Sequence, residues 1–245
     1  MELSFPFDPL RRSEEAEGLV MKGEKRLYHK FRAAPYYGGI ATADAIGCSF
    51  LCAYCWSYGR NENPARFGRL YSPEQVADNL LRIARRRFFR LFRVTGSEPI
   101  LGEISLRHLL KVVEIVHGEE PRAEFILETN GLMLGQRQDL AAQLKLDHLL
   151  VRIALKGVDP VSFEKITGAR AEFSVLPLKA LQNLDRLGVQ AWPALMGDLF
   201  KETEIAALKK TLRKSGIPAD LEIESLEAYP FVLENMRRRG LLTNS

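Results

Sequence analysis

Short, nearly continuous apolar runs alternate along this chain with longer segments whose apolar positions recur every three or four residues. The first kind reads as buried strands, the second as amphipathic helices. Strands are expected at 38–47 (GGIATADAIG), 88–96 (FFRLFRVTG), 123–131 (AEFILETNG), 146–157 (LDHLLVRIALKG), 189–197 (VQAWPALMG) and 220–229 (DLEIESLEAY). Helices fall between them. SPEQVADNLLRIARR carries its own start signals, with Ser72 as N-cap, Pro73 at the first helical position and Gln75 closing a capping box. ISLRHLLKVVEIVHG is stopped by Gly118, another helix falls around 136–144, and Asp159 with Pro160 opens DPVSFEKITG. VLPLKALQNLDRLG and ETEIAALKKTLRKSG supply the last two.

Six strands alternating with helices over short connections imply right-handed crossovers and a parallel sheet, so the fold class is α/β, doubly wound or barrel. Residues 1–37, of mixed charge and no sustained period, read as an N-terminal extension; 38–230 carry the repeating pattern, and 231–245 form a C-terminal tail. Polar residues gather where the strands end: a cysteine loop after the first, TGSEP after the second, ETNG at the third, LKG at the fourth, GD at the fifth and EAY at the sixth. In either architecture these ends converge on one ligand site.

Composition narrows the class. The chain of 245 residues is 46% apolar, and no apolar run reaches the length of a membrane span. Its start, MELSFPFDPLRRSEEAEG, lacks the layout of a secretory signal, so a cytoplasmic protein without a membrane partner is expected. A net charge of +4, from 35 basic and 31 acidic residues, does not by itself indicate nucleic acid. The arginines are clustered, however, at Arg82, Arg85, Arg86, Arg87, Arg90 and Arg93 and again at Arg237, Arg238 and Arg239. A helix C-terminus running into a strand accounts for the first set, because cations there complement the helix dipole; an anionic partner is the alternative.

All three cysteines, Cys48, Cys52 and Cys55, fall within AIGCSFLCAYCWSYG at the spacing C-x3-C-x2-C. That is no disulfide framework for a domain of this size, and it indicates metal or redox chemistry. A structural zinc ion needs four protein ligands, and none of His29, His108, His117 and His148 follows the loop closely. A 4Fe-4S cluster also wants four ligands, so three thiolates leave one iron open.

CSFLCAYC resembles the signature of the radical S-adenosylmethionine (SAM) superfamily, C-x3-C-x-aromatic-C, with Tyr54 in the aromatic place. The resemblance implies that Cys48, Cys52 and Cys55 ligate a 4Fe-4S cluster whose open iron chelates SAM, and that Tyr54 lies beside the adenine. It further implies reductive cleavage of SAM to a 5'-deoxyadenosyl radical that abstracts hydrogen from a substrate. TGSEP resembles the family's Gly-Gly-Glu turn at Gly96, Ser97 and Glu98, with Ser97 replacing the second glycine; Glu98 would meet the ammonium of SAM. ETNG and ALKG resemble the third and fourth strand ends of glycyl-radical-enzyme activases and add Glu128 and Lys156, the latter toward the cofactor's carboxylate or ribose. Where those activases place aspartates, this chain has Glu128 and Ala154.

The family likeness implies an incomplete, TIM-like (β/α)6 barrel with a lateral opening, and an external one-electron reductant such as ferredoxin or flavodoxin. With all three cysteines committed, none is left in this chain for an auxiliary cluster. The expected activity is therefore hydrogen abstraction from an unknown protein or small-molecule substrate, a protein glycyl-radical site being one candidate. The alternatives are an RNA-modifying radical enzyme using the arginine runs, or a non-enzymatic Fe-S or zinc module. Trp56 reads as a shield for the cluster, His108 and His117 as packing or surface residues, and Trp192 and Met196 as core. Alternation places Glu222 and Glu224 on one face, so Glu224 or Tyr229 is a candidate for the pocket.

Overall fold

A computed structural model of the chain describes residues 4–217 and 220–242. One sheet runs through it. Strands β1 (Met21–Lys22), β2 (Lys25–Ala34), β3 (Ile40–Ala45), β4 (Arg69–Tyr71), β5 (Leu91–Thr95), β6 (Glu124–Thr129), β7 (Leu149–Leu155), β8 (Ala191–Met196) and β9 (Glu222–Glu224) appear in the order β1-β2-β3-β5-β6-β7-β8-β9, with β4 paired to β2. β3 and β5 to β9 are parallel, and they are the six strands the apolar runs predict. β1, β2 and β4 add an antiparallel margin. The barrel is partial, since β2 and β9 are not paired with each other.

Helices fill the crossovers: α3 (Pro73–Arg87), α4 (Glu103–Glu119), α5 (Leu132–Gln136), α6 (Gln138–Ala142), α7 (Pro160–Thr167), α8 (Leu176–Arg186) and α9 (Glu202–Lys214). Ser72 and Gln75 form the expected capping box. The helix expected around 136–144 is two short ones, because Arg137 between them is extended. α3 ends in Arg85, Arg86 and Arg87, so three of the six arginines of that run sit at a helix C-terminus, and Arg85 bridges Glu119 at the end of α4 and Glu120 just after it. Two further helices, α1 (Pro9–Val20) and α2 (Tyr58–Glu62), flank the cysteine loop in sequence, and α10 (Pro230–Arg238) follows β9. Among the described residues no helix is long and apolar enough to cross a membrane.

Strand alternation sorts the side chains into two layers. Ala41, Ala43, Phe92, Val94, Phe125 and Leu127 point toward the helices and join Val76, Leu80, Leu109 and Leu184 in the main core. Each such side chain, fully buried, contributes about 1.5–3 kcal/mol if it is a Val, Leu or Phe. The opposite, concave face has an apolar floor of Ile40, Leu91, Ile126, Leu150 and Trp192, and above it a polar tier nearer the strand ends. There Arg93 donates to Glu128 (2.6 Å) and Thr42, and Arg152 pairs with both Glu222 and Glu224. Across the unpaired edges, the Tyr36 hydroxyl after β2 donates to Glu227 after β9 (2.8 Å), and Tyr229 donates to the same carboxylate.

Residues 1–37 carry more structure than their pattern suggests. The face that α1 buries is built from Pro9, Ser13, Ala16 and Val20, too small and polar to register as an apolar stripe. β2 reads KRLYHKFRAA, and a register shift between Tyr28 and Lys30 breaks its alternation.

Candidate radical-cofactor site

The cysteine loop leaves β3 and is held from several sides. Leu51 N donates to Thr167 O (3.0 Å) and Ala53 N to Ile166 O (2.9 Å), fastening the loop to the end of α7. Phe50 packs edge-on against Phe163, with ring centroids 5.3 Å apart. From the other side, Val232 and Met236 of α10 close over Ala53. Arg239 just beyond that helix donates to Leu51 O and Lys165 O. A loop so anchored presents its side chains from a fixed backbone.

None of the three thiols is in a disulfide. Phe50 N points at Cys48 Sγ (3.4 Å) and Ser57 N at Cys55 Sγ (3.3 Å), with the amides of Asn130 and Asn61 at 3.9 Å from the same two sulfurs. Such N–H donors stabilise charge on sulfur and tune a bound cluster. Burial pushes all three thiols up, Cys52 to about 12, so a cationic partner must draw them into the thiolate form. No three His, Cys, Asp or Glu side chains among the described residues converge on a single-ion site. A donor set of three free thiols, backed by N–H groups, fits a larger centre that retains one open position.

Around this loop the other sequence-derived residues gather. Lys156, at the end of β7, sets its ammonium 5.5 Å from the Tyr54 ring centroid. Burial opposes its charge, but Tyr54, Cys52 and Glu224 outweigh it and hold the ammonium above its ordinary range. Gly96 turns with φ +84°, and a Cβ there would come within 3.1 Å of the Asp44 backbone, so the turn after β5 needs glycine. Ser97 Oγ donates to Asn61 Oδ1 (2.6 Å), linking this turn to α2.

Glu98 takes donors from the protein itself. Its carboxylate is buried and accepts from Ile100 N (3.0 Å), Thr129 Oγ1 (2.6 Å) and Asn130 N (2.8 Å). Burial still pushes the carboxyl up against these donors. It clamps the end of β6 to the turn after β5, while Glu98 N donates to Gly47 O beside Cys48. Glu128 lies lower on the concave face, bound to Arg93 and to the Thr95 hydroxyl (2.7 Å).

Three residues at the site carry no motif of their own. Asn130 bonds Ser49 (2.8 Å) and faces Cys48; Asn61 faces Cys55 and holds Ser97. Arg26 of β2, fully buried, donates to the carbonyls of Glu98 (2.6 Å) and Pro99. Asn130 was within reach of sequence reasoning, as part of the ETNG strand end. Of the remaining candidates, His108 is buried between the Tyr28 hydroxyl and Glu24 O, and His117 stacks on His148 with centroids 3.6 Å apart. Trp192 donates to Glu222 (2.6 Å). Glu224 faces the pocket through Arg152, whereas Tyr229 is exposed and bonds Glu227.

The model of the Radical SAM superfamily matches residues 45–214. The chain belongs to the radical SAM superfamily. Among its curated relatives, a GTP 3',8-cyclase of Mycolicibacterium smegmatis is 37% identical over 137 residues, 54% of this chain and 36% of the relative. One from Microcystis aeruginosa is 27% identical over 123 residues, 50% of this chain and 36% of that protein. The matched stretch thus spans about a third of these relatives' length, and their name replaces the expected likeness to glycyl-radical-enzyme activases. In fold, the chain is similar to spore photoproduct lyase with bound AdoMet (TM-score 0.60, 15% identity, 86% of this chain and 63% of that one). It is likewise similar to Streptococcus suis SuiB bound to SAM (TM-score 0.59, 15% identity, 80% of this chain and 44% of that one).

The radical SAM superfamily works with a 4Fe-4S cluster and SAM, which together supply a carbon-centred radical able to take hydrogen from unreactive positions. Cys48, Cys52 and Cys55 would hold the cluster, and the Tyr54 ring, Lys156 and the Gly96–Pro99 turn would hold SAM. This chain's own contribution is to fix the loop, shield it with α10 and present a charged concave face beneath it.

Proposed function

We propose that this radical SAM enzyme takes a hydrogen atom from a polar small molecule held on the concave face of its partial barrel. One observation carries the reading: above its apolar floor the concave face carries Arg93 with Glu128 and Arg152 with Glu222 and Glu224. Both arginines are buried while Glu222 and Glu224 remain partly exposed, and charges drawn out of water stabilise a fold poorly compared with apolar residues of the same volume, so their concentration here supports a role in ligand recognition. Because the matched relatives are named GTP 3',8-cyclase, a guanine nucleotide is the first substrate to test and a glycyl-radical protein the second.

The test uses the anaerobically reconstituted chain with a chemical reductant and SAM. It should form 5'-deoxyadenosine, and deuterium should pass into that product from a labelled substrate. Full cluster content with no cleavage of SAM under strong reduction would sink the proposed activity. Cleavage without label transfer from any small polar substrate, but with transfer from a protein, would redirect it to the macromolecular reading.

A further inference from the structure

Opposite residues of an antiparallel pair share a face. Tyr28 of β2 pairs with Ala45, which belongs to the main core, but Lys30 pairs with Asp44 and Arg32 with Thr42, both on the concave face. The register shift between Tyr28 and Lys30 is therefore a β-bulge that turns the second half of the strand over. Strict alternation from Tyr28 would have sent Lys30 and Arg32 toward the helices.

Turned inward, they meet Trp56. Lys30 Nζ and Arg32 Cζ each lie 5.9 Å from the indole centroid, and Arg60 Cζ lies 4.8 Å from it. The indole lies between the two sides of the unpaired edge, touching β2 through Lys30 and Arg32, α2 through Arg60 and the α10 cluster through its ring. Cation–π attraction draws each group in, but the three charges repel one another. Arg32 is neutralised by Asp44, which it holds at 2.8 and 3.2 Å. Arg60 donates only to the uncharged Ser57 hydroxyl, and neither it nor Lys30 forms an ion pair among the described residues. Two cations without an ion-pair partner of their own thus converge on one aromatic plate, with Asp44, already held by Arg32, and Cys55 the acidic groups near Arg60.

We propose that Lys30, Arg60 and Trp56 form a binding site for an anionic group of the substrate, a phosphate or carboxylate, at the lateral opening. The proposal rests on the reading that substrate occupies the concave face. The anion compensates Lys30 and Arg60, the indole gives its carrier a flat apolar surface, and the bulge in β2 aims the site at the opening.

Calorimetric titration of inorganic tripolyphosphate, and separately citrate, into the anaerobically reconstituted enzyme with saturating SAM tests it, and the two probes separate phosphate from carboxylate. Saturable binding of one probe is expected, about tenfold weaker in K30Q and in R60Q and largely recovered in R60K, a tenfold change being 1.4 kcal/mol. Iron content of each variant verifies that the loop is intact; Lys30 is exposed, so K30Q has little to disturb. No saturable binding, or binding indifferent to both substitutions, overturns the proposal. So does binding seen without SAM and lost when SAM saturates, which would assign the cations to the cofactor's own carboxylate. Formation of 5'-deoxyadenosine in the same samples reports on the proposed activity independently of the titration.

Discussion

Asn61 and Asn130 stand in the same relation to opposite ends of the cysteine loop, each aiming an amide at a sulfur and each tied to a second residue of the site. The cysteines were legible because their spacing is itself the signal. Asn61 was not, since an amide leaves no periodic mark; Asn130 stood inside the ETNG strand end, but its reach to Cys48 across 82 residues did not show there. His108 is likewise explained only by its neighbours. With Nδ1–H donating to Glu24 O, Nε2 is left to accept from the Tyr28 hydroxyl, which fixes the neutral tautomer. Burial pulls its pKa down from 6.5 to about 4. The folded state therefore binds this proton less readily than the unfolded chain does, so His108 favours folding above pH 6.5 and loses that advantage as pH falls toward 4. Denaturant unfolding should show stability falling over this window by up to about 3 kcal/mol from this group. In His108→Gln the loss across the same window should shrink; an unchanged pH dependence would place it elsewhere.

At the scale of elements, five of the six parallel strands, β3, β5, β6, β7 and β8, were readable because a strand covered by helices must be apolar on one face. β2 was not, because its two halves serve different faces. Its buried Arg26 belongs to neither pattern: the guanidinium donates to the carbonyls of Glu98 and Pro99, fixing the turn that carries Gly96 and Ser97. Arg26→Met removes both donors and leaves two buried carbonyls unpaired, a cost of about 1–3 kcal/mol each at most. We expect about tenfold weaker binding of SAM, measured by calorimetry on cluster-loaded enzyme, with iron content little changed because the thiols belong to another segment. Loss of iron in parallel with SAM affinity would mean that the turn and the loop fold as one unit.

For the whole molecule, the decisive relation is between the chain's beginning, middle and end. α10 lies over Ala53, and Arg239 ties its end to Leu51, so a segment that reads as a tail is part of the cluster's enclosure. Met236 is fully buried there, and Met236→Ala should cost about 2–5 kcal/mol. Because the cavity opens beside the cysteines, bleaching of the cluster absorbance in air should quicken as well. Lower stability with no change in bleaching would limit α10 to a structural role. The open edge of the sheet has a consequence of another kind. Beside the Trp56 ring, a contact between Tyr36 and one exposed carboxylate, Glu227, spans it. Such a bond is worth about 1 kcal/mol. A latch that light adds little to the edge, and Tyr36→Phe should leave the stability of the fold within about 1 kcal/mol of its starting value in denaturant unfolding.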